Sequence, residues 1–168
     1  MNKNLLSGCM LFLLLSAYDA QCSTLPEPVG KVILTVSGLI SNKNSNDAAQ
    51  FDLNALESLG VTRINTHTPW FKGVSRFEGV SLAKLMETVG AHGRRVKVTA
   101  LNDYMTIIPV SDFSRHHPIL AYRRDGKIMT VRDKGPLFII YPYDNKTELE
   151  NQIFYSRSAW QVYTIEVE

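Results

Sequence analysis

The sequence predicts an α+β fold, strand-rich, with mixed sheets and short helices. Three observations predict it. The Val- and Ile-rich stretch "KVILTVSGLI" (31–40) and the continuous apolar run "GPLFIIYP" (135–142) have strand composition. The apolar positions Leu82, Leu85, Met86 and Val89 fall on one helical face, but Gly90 ends that run after about two turns. The C-terminal "AWQVYTIEVE" alternates Tyr163, Ile165 and Val167, as a closing strand does. No repeat, low-complexity tract or linker divides residues 23–168, which suffice for one domain with one core.

Taken in order, residues 31–40 read as a buried first strand, and the polar run "SNKNSND" reads as the loop after it. Asp52 is placed to cap a short helix, Leu53, Leu56 and Leu59 give it an apolar face, and Gly60 stops it. The stretch "RINTHTPWFKGVSRFEGVSL" (63–82) reads as a strand that delivers His67 and Trp70 to its end, a Gly-containing loop, and the start of the next helix. Ser81 is that helix's N-cap candidate. "RVKVTALNDYMTIIPV" (95–110) reads as two strands broken at Asn102 and Asp103. "ILAYRRDGKIMTV" (119–131) has Asp125-Gly126 between two strand-like runs, a favoured two-residue hairpin turn. The apolar run 135–142 predicts a central strand buried on both faces.

At the N-terminus, Lys3 precedes the apolar run Leu5–Ala17, which gives way to the polar, Pro-containing "YDAQCSTLPEP". That order is the order of a secretory signal peptide, and the run is shorter than the roughly 20 residues a membrane span needs. The expectation is a signal peptide over 1–22, export to the periplasm, and a mature chain without a transmembrane segment. Cys9 and Cys22 both fall within residues 1–22, so the mature domain gains no internal disulfide. The formal net charge of +2 is too small and too scattered for a nucleic-acid footprint. Hydrolase elbows, phosphate-binding glycine loops, zinc-protease helices and dinucleotide turns are all missing from the sequence.

Polar and aromatic residues concentrate in three places. His67 suits a metal or an anionic ligand, or one buried hydrogen bond, and Trp70 suits a pocket wall or a core anchor. His116 and His117 are adjacent and on an extended chain would point apart, so they read as a surface loop rather than a metal pair. Tyr141, Tyr143, Ser156, Arg157 and Ser158, in "YPYDN" and "FYSRSAW", combine hydroxyls, a guanidinium and aromatic faces. That set suits a planar or phosphorylated ligand. Its structural alternative packs Tyr143 and Tyr155 and pairs Arg157 with Asp144 or Glu148.

Four phrases occur in one order: "FEGVSLAKLMETVGA", "VTALNDYMTIIPVSD", "ILAYRRDGKIMTVRDKGPLFIIYP" and "SRSAWQVYTIEV". Together they make residues 31–168 resemble the molybdopterin-binding domain of the sulfite-oxidase family, in particular short exported bacterial proteins that carry this domain alone. The resemblance implies a cofactor site among strand ends and loops. It adds the loop Asn102, Asp103 and Tyr104, and the rim residue Arg132, as candidate binding residues. For both there is a plain alternative, a turn at 102–103 and an Arg132–Asp133 ion pair. The resemblance also implies a cysteine thiolate on molybdenum, from the segment before the Ser81–Gly90 helix. This chain has "INTHTPWF" there. A threonine hydroxyl or neutral imidazole has neither the charge nor the softness of a thiolate.

The expected function is therefore a ligand-binding or accessory module that lacks the metal-ligating cysteine. Its expected partners are a small molecule or pterin, and a membrane signalling or redox protein. Two rivals stand beside it. One is an active molybdenum-cofactor oxidoreductase acting on a small oxyanion or sulfoxide, with His67 or water completing the metal coordination. The other is a structural interaction protein with no pocket ligand.

Overall fold

The structure, a computed structural model, describes residues 25–168. The expected signal segment and both cysteines lie outside the described residues. The domain is strand-rich α+β, built from two mixed-length sheets with short helices between and beside them. In the first sheet the strands run in the order β2 (Ala48–Phe51), β1 (Leu34–Gly38), β10 (Val162–Val167), β5 (Arg95–Ala100) and β6 (Met105–Pro109). β1 pairs with β10 in parallel and the other neighbours are antiparallel. In the second sheet β3 (Thr62–Thr68), β4 (Phe71–Ser81), β7 (Ile119–Arg124) and β8 (Lys127–Ile128) run in order, and β9 (Phe138–Ile140) also pairs with β7.

The main core lies between the sheets and gathers Leu34, Val36, Val98 and Ile165 from the first with Val80, Leu120, Tyr122 and Ile139 from the second. Helices α1 (Leu53–Ser58) and α2 (Leu82–Thr88) close it with Leu56, Leu82, Leu85 and Met86. The opposite face of the second sheet is buried too, under a smaller cluster of Ile64, Phe77, Ile119, Ala121, Phe138 and Ile140. Consecutive residues on β7 alternate between the clusters, Ile119 and Ala121 to the smaller, Leu120 and Tyr122 to the larger. Among the described residues no helix is long and apolar enough to cross a membrane.

The hairpin Asp125-Gly126 forms as expected, with positive φ at both positions. Asp52 caps α1, accepting from the Ala55 N–H, and also accepts from the Gly30 N–H at 2.6 Å. Ser81 precedes α2 but makes no side-chain cap bond, because it still belongs to β4 and pairs with Ile119.

One strand is added to the expectations and four are corrected. The added strand is β2, Ala48–Phe51, which follows the loop 41–47 and pairs with β1. The presumed loop at 71–80 is the eleven-residue β4, hydrogen-bonded to β3 on one side and β7 on the other. Gly73 and Gly79 there mark register shifts, the first in the β3–β4 ladder and the second in the β4–β7 ladder, without ending the strand. The presumed surface loop at the histidines is helix α3 (Ser111–His116), and His116 is only 5% exposed beneath Phe154 and Tyr141. The run 135–142 supplies only three strand residues, β9, which pairs with β7 alone among the named strands. Residues 137–141 are nevertheless fully buried, because residues 159–162 bond along the other side of β9. In β10 a register shift between Val162 and Thr164 turns Val162 inward and leaves Tyr163 38% exposed, so the inward set is Val162, Ile165 and Val167.

Candidate functional site

β3 and β4 form a hairpin whose turn, Pro69-Trp70, lies against the segment that follows β9. Thr66 is the fully buried residue near the end of β3, and its hydroxyl accepts from the Asp144 N–H at 3.1 Å. Strand alternation then puts His67 on the outer side. Its backbone N–H reaches both Asp144 carboxylate oxygens at 3.1 Å, and its ring Nδ1 lies 3.0 Å from Asp144 Oδ2. A carboxylate only accepts, so Nδ1–H donates and Nε2 is left as the acceptor in the neutral ring. Burial pushes the Asp144 carboxyl up, but the His67 backbone and ring bonds outweigh it and hold it below its ordinary value of 3.8.

The space beside this pair is a cleft of about 370 Å³ bounded by His67, Thr68, Pro69, Asp144, Glu150 and the rings of Tyr143 and Tyr155. The Thr68 hydroxyl oxygen is buried there without a hydrogen-bond partner. A second recess of about 280 Å³ shares Pro69 and Tyr155 and adds Trp70, Tyr104, Gln152, Ser156, Ser158 and Trp160. Trp70 is the hub of this wall, with ring centroids 5.9 Å from Trp160, 6.1 Å from Tyr155 and 6.3 Å from Tyr143, all edge-on. Helix α4 (Gln152–Arg157), capped by the Asn151 side chain, carries Tyr155 and Ser156. The Tyr104 hydroxyl donates to the Ser156 carbonyl at 2.7 Å and ties the β5–β6 turn to this helix.

The other sequence candidates divide sharply. Ser158 Oγ donates to the Phe154 carbonyl, so the Tyr143 hydroxyl is the donor to Ser158, and burial pushes the Tyr143 phenol well above its usual range. Tyr141 and Arg157 do not reach the cleft. Tyr141 donates to Asp112 Oδ2 at 2.9 Å, and Arg157 donates to the same oxygen at 2.8 Å. The expected pairing of Arg157 with Asp144 or Glu148 is thereby corrected, since Asp144 is held by His67 and Arg157 by Asp112. Asn102 and Asp103 are exposed turn residues, the first accepting from the Tyr104 N–H and the second at positive φ. Arg132 sits exposed in a 3-10 turn, Val131–Asp133, outside the cleft lining. Its neighbour Asp133 accepts from the Thr130 hydroxyl instead of pairing with it.

Asp144, Glu150, Thr68, Pro69 and Trp160 line the cleft but are not among the sequence candidates. Asp144 stood inside "YPYDN", where only its tyrosines carried a recognisable signal. Glu150 and Trp160 carried none, because nothing local in the sequence ties them to β3.

The architecture is thus a two-sheet, strand-rich α+β domain with a cleft at the end of β3. The family model described as "oxidoreductase molybdopterin binding domain" matches residues 34–143, more than half of the chain, and the chain belongs to that family. No curated protein matches it. The family implies a molybdenum–pterin group, and the cleft does not fit one. Residues 25–168 contain no cysteine, neither recess is lined by lysine or arginine, and two carboxylates line the larger one. An anionic, phosphate-bearing pterin would face like charge there instead of the basic donors that phosphate recognition uses.

Proposed function

We propose that the protein is a ligand-binding or accessory module that keeps the family's fold without the thiolate that ligates molybdenum. The observation that carries this reading is the cleft lining, in which an Asp144-held His67, Tyr143 and Tyr155 stand where the resemblance leads one to expect the metal ligand. On this reading the protein is exported to the periplasm, loses residues 1–22, and works beside a membrane signalling or redox protein. The order of charge, apolar run and polar boundary at the N-terminus supports export.

Elemental analysis and pterin fluorescence on protein purified from its exported compartment test the reading. The expected result is neither molybdenum nor pterin. Near-stoichiometric molybdenum with pterin would overturn it and restore an active oxidoreductase.

A further inference from the structure

Acidic and aromatic surface adjoin here. Asp144 and Glu150 line the first recess, Trp70, Tyr104 and Trp160 line the second, and Pro69 and Tyr155 are common to both. Three hydrogen-bond contacts to His67 leave the Asp144 carboxylate with accepting capacity, and Glu150 makes no ion pair among the described residues. The Thr68 hydroxyl in the same lining is buried and unpartnered. One of these rings, Trp160, already holds a cation, with Lys134 Nζ 4.0 Å from its centroid. A bare metal ion is a poor match, because no three metal-ligating side chains come together among the described residues.

We propose that this cleft binds a small organic cation, an amine or quaternary ammonium, with its charge facing Asp144 and Glu150 and its alkyl groups against Tyr155 and Trp70. The ligand's charge is thus opposite in sign to that of the family's phosphate-bearing pterin. Carboxylates attract a cation through space, and aromatic faces add attraction that a neutral molecule of equal shape does not receive. This inference rests on the ligand-binding reading above and specifies its ligand.

Trp70 and Trp160 are the chain's two tryptophans and both line the second recess, so tryptophan fluorescence reports on this site. Protein purified from its exported compartment would be titrated with choline, with its uncharged isostere 3,3-dimethylbutan-1-ol, and with inorganic phosphate as the anionic probe, each also followed by calorimetry. The expected result is saturable binding of choline, at least about tenfold weaker binding of the isostere, and none of phosphate. Glu150→Gln is expected to weaken choline about tenfold without lowering the melting temperature. Equal affinity for choline and the isostere, preference for phosphate, or no saturable response to choline overturns the inference. A molybdenum-free protein that fails the choline test loses only the cation assignment, whereas co-purified molybdenum and pterin overturn the ligand-binding reading itself.

Discussion

Arg157 shows how a residue with every chemical mark of a ligand contact becomes a structural one. Its guanidinium and the Tyr141 hydroxyl converge on one oxygen of Asp112, which is 6% exposed, so α3, α4 and the end of β9 are tied through a single carboxylate. Removing the cation leaves that carboxylate buried with one neutral donor. Arg157→Ala is expected to cost about 2–3 kcal/mol, somewhat below the usual figure for a broken buried pair because the guanidinium is partly exposed. Urea denaturation checks this, and Arg157→Lys is expected to recover part of the loss. An unchanged midpoint in the alanine variant would show that Asp112 is solvated and the tie is slack. His67 is the complementary case, an exposed histidine whose role is set by a partner 77 positions away.

At the scale of elements, β4 decides where the cleft lies. It is the strand that both closes the hairpin with β3 and carries the second sheet onward to β7. Gly79, which begins the "GVSL" of the family resemblance, sits at a register shift in the β4–β7 ladder. A Cβ there would stand 2.6 Å from the Ala121 Cα and closer still to the Leu120 carbonyl, both backbone atoms that cannot swing away. Gly79→Ala is therefore expected to cost roughly 2–4 kcal/mol, read as a lower denaturant midpoint. Gly73→Ala tests a different property, because its Cβ would meet nothing within 4 Å and only its φ of +73 opposes the change. That variant is expected to be the milder of the two, and the reverse order would contradict the close β4–β7 approach.

For the whole molecule, acid stability should report the burial of His116. Burial pushes its imidazole below the ordinary histidine value of 6.5, so the folded protein favours the neutral ring. The groups facing it are Asp112 and Arg115 on its own helix, Lys146 and Glu148 from the segment after β9, and the rings of Tyr141 and Phe154. As pH falls through 6.5 the unfolded chain takes up a proton that the folded chain resists. Stability should thus decline from about pH 6.5 downward and level off below the folded value. The depressed carboxyls of Asp52 and Asp144 contribute stability that is lost only at lower pH, as the medium passes below 3.8. Melting temperatures between pH 7 and 5 should fall in the parent and stay flatter in His116→Leu. Equal slopes would assign the acid loss elsewhere.

The sequence by itself determined the local features: the Asp52 cap, the amphipathic face of α2, the Asp125-Gly126 hairpin and the apolar β1, β9 and β10 segments. Each is written within a few consecutive residues, through spacing, capping and turn chemistry. The ordered phrases carried the family as well. Only the tertiary structure decided that β4 is a strand, that α3 buries His116, that a register shift turns Tyr163 outward, and that Asp144 holds His67 beside a cleft that Glu150 also lines. Those outcomes depend on which distant segments pair, and pairing between distant segments leaves no local periodicity to read. For the same reason the tyrosines and arginine of the polar C-terminal stretch looked alike in sequence. Tertiary packing divided them, sending Tyr143, Tyr155 and Trp160 to the cleft and Tyr141 and Arg157 to the carboxylate behind it.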